Sequence, residues 1–387
     1  MTMPYTLYNG PGNWPDADKL MANYNYLETI ASGYTTFRNR IINGDMRIDQ
    51  RNNGGSLTQT TGALFPVDRW KITGSVASKF SAQRNYSVTP PVGFSHHLGI
   101  NSLSSYSVGA GEAFTITQAI EGFNVTDLAW GTALAKTVTL SFWFRSNMSG
   151  GSVFGGSLQN SASNRSYPFT FSSVTTSTWE YKTITIPGDQ TGTWLTDNGA
   201  GIVLRFGLGV GASLSGTAGA WAAADYRSAT GASSVVGTNA ATFFITGVQL
   251  EAGTAPTPFE LVPMSQELQL CQRFFQKSFP FSTAVAQNSG VYLGATSYVV
   301  VTGGAGISPS CRVNFSLPMR ATPTLIFYSP SSATANWYNR GAVANSGAGS
   351  TPYSEVSDRG FTTFNPQVAG DAVGNTIYVH WSSDAEI

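Results

Sequence analysis

The feature that most constrains this chain is a train of short apolar runs, separated by Gly, Ser and Asn turns, from about Arg38 to Pro263. Thr137–Arg145 (TVTLSFWFR) alternates cleanly and puts Val138, Leu140, Phe142 and Phe144 on one face. Trp179–Ile186, Ile202–Phe206 and Thr242–Thr246 read the same way. Many short strands with no helical period between them indicate an antiparallel sandwich, and the segment is long enough for a jelly roll. Trp70, Trp143 and Trp381 lie in strand-like runs and read as core residues.

The two ends differ from this pattern. Near the start, Asn9-Gly10-Pro11-Gly12 is a turn, Trp14-Pro15 is extended and Asp16 is a fair N-cap. Leu20, Tyr24, Leu27 and Ala31 then form an apolar seam two heptads long, which Gly33 would end. Two heptads are too short to stand alone in water, so this helix either packs on its own domain or joins chains and docks them. Trp14, Leu20, Tyr24 and Leu27 are the candidate docking residues. A second helix is expected over about 265–277, with Glu267 in its first turn and Leu268, Cys271 and Phe275 as its stripe. After Phe279-Pro280 the strand signals return in Ser297–Val301, Thr324–Tyr328 and Thr376–Trp381. The expected fold is mainly β: an antiparallel jelly-roll sandwich, a smaller C-terminal β domain and two short helices. The domains are then 1–37 (docking and oligomerisation), 38–263 (sandwich) and 264–387 (helix plus β domain). The glycine-rich stretches 207–220 and 341–349 are the expected mobile loops.

Composition bears on partners. Charged residues make up 11% of the 387, against roughly 25% in an ordinary soluble domain. Lys+Arg and Asp+Glu are 21 each, so net repulsion does not keep such chains apart. That suits a protein that buries much of its surface against copies of itself. No basic block is present, which argues against a nucleic-acid partner. Cys271 and Cys311 are too few for a disulfide framework, and none of His96, His97 and His380 stands at ligand spacing from a cysteine, so no metal or cofactor is expected. The opening residues lack a signal-peptide pattern, and no run approaches the ~20 apolar residues of a membrane span. The expectation is synthesis in a cytoplasm and no membrane insertion.

The scan for catalytic motifs is largely negative. There is no G-x-S-x-G elbow and no P-loop. Gly207–Ala212 matches G-x-G-x-x-A formally, but loop-forming residues follow where a dinucleotide site needs a helix. Glu121, Asp127, Asp189, Asp197 and Asp225 are acids in turns or beside aromatics, and turn or cap roles are the default for them. The positive signal is aromatic. Sugar rings stack their C–H faces on Trp and Tyr, while Asn, Asp and Arg bond the hydroxyls. Two stretches rich in small residues carry that mixture: Trp221, Asp225, Tyr226 and Arg227, and Asn336 with Trp337, Tyr338, Asn339 and Arg340. The alternative is that each tryptophan tucks under its own loop or into a subunit interface.

Several runs, taken in order, resemble a known family. Asn39–Met46 (NRIINGDM) with Gln50-Arg51, then Val67–Trp70 (VDRW), resembles the opening of jelly-roll domains in phage tail-fibre and tail proteins. Leu140–Ser146 resembles their mid-domain strand, and Phe244–Gly253 with Thr257–Glu260 their closing strand. Glu267–Lys277 is similar to the helix that follows, and Phe315, Pro318–Arg320 and Pro323 to a later β motif. The match spans roughly 39–323. The resemblance implies a carbohydrate-binding-module-like jelly roll in a virion, usually trimeric. Related sugar-binding jelly rolls often hold calcium through an acid on the last strand; here that strand reads Ile245–Val248 without one, and Glu251 comes later, so calcium is not expected.

The resulting expectation is a non-enzymatic tail-fibre or spike subunit of a bacteriophage, located in the virion and acting as a homotrimer. Its partners would be itself, other virion proteins through the N-terminus, and host cell-surface polysaccharide. The rivals are a head fibre or tail connector without receptor binding, and a capsule polysaccharide-degrading enzyme.

Overall fold

A computed structural model of the chain describes residues 37–302, 310–346, 351–364 and 371–387. The expected N-terminal helix and its candidates Trp14, Leu20, Tyr24 and Leu27 lie outside the described residues.

The alternating runs form strands where the pattern places them. In chain order they are β1 (Leu57–Thr58), β2 (Leu64–Val67), β3 (Trp70–Gly74), β4 (Phe80–Arg84), β5 (Leu98–Ser102), β6 (Ala113–Glu121) and β7 (Val138–Arg145). Then come β8 (Val153–Gln159), β9 (Ser166–Ser172), β10 (Glu180–Ile186), β11 (Ala200–Val210), the short β12 (Ser215–Gly216) and β13 (Ser228–Ala229), and β14 (Thr242–Ala252). Two six-stranded antiparallel sheets result, β1-β4-β5-β14-β7-β10 and β2-β3-β6-β11-β8-β9. The last strand, β14, returns to the middle of the first sheet between β5 and β7, as in a jelly roll.

The sandwich is held by the inward positions of both sheets. Val138, Leu140, Phe142 and Phe144 of β7 are all buried, as their alternation requires. Phe144 meets Phe154 of β8 with ring centroids 4.7 Å apart, and Phe142 meets Phe206 of β11 at 5.1 Å. Such offset and edge contacts add about 0.5–1.5 kcal/mol per pair beyond area burial.

The stretch 207–220 is not a single mobile loop. Gly207–Val210 completes β11, with an irregular register between Gly207 and Gly209 opposite β6. Glycine serves here because of close approach: a Cβ on Gly209 would fall 2.5 Å from the Val236 side chain, and one on Gly207 2.7 Å from the Ser228 hydroxyl.

The helix α1 (Met264–Gln272) is shorter than the expected 265–277. Cys271 and Phe274 are buried against Ile42 and Ile48, forming a small core between helix and sandwich. Glu267 stands in its first turn as expected, and there it is buried and accepts the Asn43 N–H. Phe275 leaves the helix and opens β15 (Phe275–Lys277). The remaining strands are β16 (Thr296–Val299), β17 (Ser310–Asn314), β18 (Thr324–Tyr328), β19 (Trp337–Asn339), β20 (Ala344–Ser346), β21 (Tyr353–Ser357), β22 (Gly360–Phe364) and β23 (Thr376–Asp384). Of the expected loop 341–349, residues Ala344–Ser346 are strand and 347–350 lie outside the described residues. In this lobe β23 is the hub, pairing with β15, β16, β18 and β19, while β17-β22-β21 form a second, three-stranded sheet. A separate core of Trp337, Phe361, Trp381, Val379 and Ile377 lies between them.

Sandwich and lobe meet at a bonded seam. The Arg51 guanidinium lies 3.8 Å from the Phe275 ring centroid and pairs with Asp384 at 2.9 Å, Glu386 at 3.4 Å and Asp68 at 3.5 Å. Arg69 stacks on Phe274 at 3.4 Å and pairs with Glu386. Arg273 forks onto Glu121, one arm at 2.7 Å. These cations and rings explain why the helix stops early: Phe274 and Phe275 are held as stacking surfaces for arginines of the sandwich.

Candidate functional site

All four residues expected around Trp221 lie on one segment that runs beside β9. Ser166 and Ala222 exchange backbone hydrogen bonds at 3.0 and 2.9 Å, which fixes the segment to the sheet edge. Trp221 is half-buried. Its Nε1–H donates to the Pro187 carbonyl at 2.8 Å, and its ring meets Trp130, Trp194 and Tyr167 at 5.3, 5.4 and 5.3 Å. It therefore closes one end of the sandwich within a four-ring cluster. Asp225, Tyr226 and Arg227 follow on the same segment, where the Tyr226 N–H donates to the Ser166 hydroxyl at 3.2 Å. Arg227 grips Asp225 at 2.7 Å, and Gln159 of β8 donates to Asp225 at 2.8 Å. Burial opposes the Asp225 charge, but these donors outweigh it and hold the carboxyl below its ordinary range. The Tyr226 ring lies against Gly216, where a Cβ would come within 2.1 Å of it.

The second expected cluster is corrected. Residues 337–339 form strand β19, and Trp337 is 2% exposed in the lobe core. Its Nε1–H donates to the Phe364 carbonyl at 2.9 Å. Tyr338 and Asn339 are buried as well, the latter donating to Asp371 at 2.7 Å. Arg340 alone is exposed, its guanidinium 4.8 Å from the Tyr292 ring centroid. The physical reason is lobe size: a small β lobe needs its large rings inside to bury enough apolar surface.

Trp143 is corrected in the opposite sense. It is partly exposed and lies on the outer face of the first sheet, between the inward Phe142 and Phe144. It pairs across strands with Tyr181 of β10, ring centroids 5.6 Å apart, and Tyr181 is 44% exposed. These two rings form one wall of a groove of about 510 Å³. Phe94, Pro256, Pro258 and Phe259 line the rest, with Ser141 and Thr257 as hydroxyl-bearing residues. Phe94 and Phe259 meet edge to face at 5.2 Å. Gly247 makes the groove possible. It occupies a bulge in β14 with φ +61°, and a Cβ there would strike the Phe94 ring at 2.6 Å.

The proline-bearing wall is pinned by Glu251. Its carboxylate accepts the Thr257 N–H at 2.8 Å, the Thr257 hydroxyl at 2.6 Å and the Gln249 amide at 2.8 Å. Arg38 also donates to the Thr257 hydroxyl at 2.6 Å. Glu251 therefore does lie on the last sandwich strand, which runs farther than the sequence indicated, but its oxygens hold a loop. Among the described residues no group of three His, Cys, Asp or Glu is placed to hold a metal ion.

The other acids are each engaged. Asp189 takes a two-pronged grip from Arg165 at 2.7 Å on both arms; Asp127 pairs with Arg40 at 2.8 Å. Asp197 accepts the Gly199 N–H at 2.8 Å, and Glu121 belongs to the seam. Both cysteines are free thiols, with Cys271 pushed well up by burial. Among the described residues no helix is long and apolar enough to cross a membrane.

No family model and no curated protein matches the chain. Solved structures with a similar sandwich include the enzymatically active domain of tailspike protein 4 from bacteriophage CBA120, at 11% identity and a TM-score of 0.31. That match covers 56% of this chain and 22% of the tailspike chain. The carbohydrate-binding module TmCBM61, solved with β-1,4-galactotriose, is similar at 12% identity and a TM-score of 0.27, covering 56% of this chain and 99% of its own. The family 11 module of the cellulosomal cellulase Lic26A-Cel5E of Clostridium thermocellum is similar at 12% identity and a TM-score of 0.26, covering 53% and 99%.

Proposed function

We propose that this chain is a non-enzymatic bacteriophage virion protein, a tail-fibre or spike subunit that binds host surface glycan as a homotrimer. The observation that carries the reading is the groove between Trp143 and Tyr181 on one side and Phe94 and Phe259 on the other. It offers aromatic surface where an unliganded domain would place polar residues, and its one strongly exposed ring, Tyr181, contributes no area to the core. A sugar ring stacked there would gain the apolar contact that Trp and Tyr provide, with hydroxyls left for Ser141 and Thr257. The virion location, the trimer and the docking role of residues 1–37 rest on the resemblance over 39–323 and on the low charge of the chain. Three weak sites on one trimer would bind a repeating polysaccharide through high effective concentration. In this reading Asp225, Tyr226 and Arg227 are a second contact region, while Trp337, Tyr338 and Asn339 have none.

The test is binding of the purified chain to intact host cells and extracted surface polysaccharide, with oligomer mass determined on the same sample. Saturable binding by a trimer, lost in Tyr181→Ala, is expected. Unchanged binding by Tyr181→Ala would overturn the groove assignment, and a stable monomer would overturn the architecture.

A further inference from the structure

Where the sandwich hands over to α1, a cavity of about 300 Å³ opens. Its walls are mostly apolar: Phe37 and Ile41 from the start of the sandwich, Phe259, Leu261 and Val262 from the connecting segment, and Leu270 of α1. The rim meets solvent, since Leu261 is 66% exposed and Gln266, which also lines the cavity, is exposed as well. Two acids complete the lining, Glu260 and Glu267, and they are placed differently. Both oxygens of Glu260 are taken by backbone, Oε1 accepting the Phe37 N–H at 3.1 Å and Oε2 the Asn39 N–H at 2.7 Å. Glu267 is 6% exposed, and only its Oε1 is used, by the Asn43 N–H. Among the described residues Glu267 Oε2 has no protein partner, yet it is not sealed from solvent. For a residue buried so deeply, the opening is the cavity that it lines.

No cation of the described residues pairs with either acid. Arg47 acts on Glu267 but is committed elsewhere, pairing with Asp45 and donating to the Val262 carbonyl at 2.7 Å. Arg40 faces the Phe37 ring at 5.8 Å and pairs with Asp127 at 2.8 Å. Burial raises the Glu267 carboxyl above its ordinary range; Asp45 and Glu260 push the same way, against the Asn43 N–H and Arg47. A carboxyl kept in an apolar cavity without a counter-charge gains most from a cation that carries its own apolar stem. With Oε1 occupied, one acceptor position remains. That suits the point charge of an ammonium better than a guanidinium, whose two-pronged grip needs both oxygens.

We infer that this cavity is a binding site for a primary ammonium on an aliphatic stem. Glu267 Oε2 accepts from the ammonium N–H, and Ile41, Leu261, Val262 and Leu270 pack the stem. A lysine side chain of a partner protein and a free alkylamine share this chemistry. Phe259 also lines the groove, but the assignment stands apart from the glycan-binding reading, because Trp143 and Tyr181 take no part in it.

The test titrates the full chain with n-butylammonium, the equally long but neutral 1-butanol, n-butylguanidinium and Nα-acetyl-lysine amide, followed by ligand-observed NMR because such small probes bind weakly. The ammonium should bind roughly tenfold or more tighter than the alcohol. Glu267→Gln, which keeps an acceptor for the Asn43 N–H, should erase that difference. Gln266→Lys at the exposed rim places a tethered competitor there and should also weaken the ammonium, which keeps the test decisive where the core variant folds poorly. Binding withdraws the proton from Glu267, so ammonium affinity should rise with pH in the wild type and stay level in Glu267→Gln. Tyr181→Ala, which tests the groove, should leave the ammonium preference intact. Tighter binding of the lysine amide than of n-butylammonium assigns the site to a lysine side chain; weaker binding assigns it to a free alkylamine. Equal binding of ammonium and alcohol by the wild type, or a preference that survives both Glu267→Gln and Gln266→Lys, would overturn the site. A guanidinium that binds as tightly as the ammonium would overturn the choice of cation.

Discussion

The sandwich and the C-terminal lobe place their large aromatic residues by different rules. In the sandwich, two six-stranded sheets supply enough inward positions for Phe142, Phe144, Phe154, Phe206 and Phe243 to fill the core. Trp143 and Tyr181 are then free to stand on the outer face. In the lobe, a sheet built on β23 and a three-stranded sheet enclose a smaller core, and Trp337, Phe361 and Trp381 are needed to fill it. An aromatic residue in a strand is therefore open to ligand only where the core is already satisfied by its neighbours. That contrast locates the groove on the sandwich and removes β19 from consideration.

The largest effects should come from the lobe core. Trp337→Ala should cost about 3–5 kcal/mol of lobe stability through lost burial and the cavity left behind. Its glycan affinity, measured below the unfolding transition, should match the wild type. A Trp337→Ala chain that folds normally but fails to bind would break the comparison. The seam comes next. Arg51→Ala leaves Asp68 buried without its cation and should cost about 3 kcal/mol, splitting one calorimetric transition into two as sandwich and lobe uncouple.

Acid should reach both regions through one buried histidine each. His97 packs edge to face on Phe244 and Trp179, and His380 stacks on Phe279 at 3.8 Å; burial lowers both to about 4 from 6.5. The unfolded chain takes up these protons first as pH falls. The stabilising contribution is therefore complete above 6.5 and is lost as pH drops toward 4. At pH 5 each histidine should cost about 2 kcal/mol. Asp45 and Glu267, raised by burial, act in the opposite sense: their contribution is present at low pH and lost as pH rises through their raised values. Comparing His97→Gln with His380→Gln at pH 7 and pH 5 isolates the histidine term. Each variant should flatten the acid response of its own region only. The smallest effect on stability belongs to Tyr181→Ala, within about 0.5 kcal/mol for so exposed a side chain.

Much of this was legible in the sequence. The alternation in Thr137–Arg145 gave β7 and its inward face, and Thr324–Tyr328 is β18 to the residue. The same alternation held the answer on Trp143, since a residue between Phe142 and Phe144 must face the other way. Composition favoured the core because tryptophan is usually buried there, and parity was the better guide. The Trp337 stretch misled because small polar neighbours resemble a loop, whereas pairing with β20 and with the distant β23 makes it a strand. The helix end at Gln272 was hidden for a related reason: Phe275 fits a helical stripe, but Arg51 and β23 claim it from outside the segment. The groove was illegible because Phe94 and Phe259 reach Trp143 only through the fold. The runs that carry the family resemblance turn out to touch one another. Asn43 O accepts the Trp70 indole N–H at 2.9 Å, Gln50 N–H donates to Asp68 at 3.0 Å, and Glu260 accepts the Asn39 N–H at 2.7 Å. They stitch the fold together, which is why they identify an architecture more readily than a ligand.

The most direct measurement is titration of a neutral oligosaccharide from host surface polysaccharide into wild-type protein, Tyr181→Ala and Trp337→Phe, with unfolding followed on the same samples. The account predicts that Tyr181→Ala loses binding at full stability, while Trp337→Phe keeps its affinity despite a less stable lobe. Binding that survives in Tyr181→Ala but falls in Trp337→Phe, with both chains folded, would contradict it.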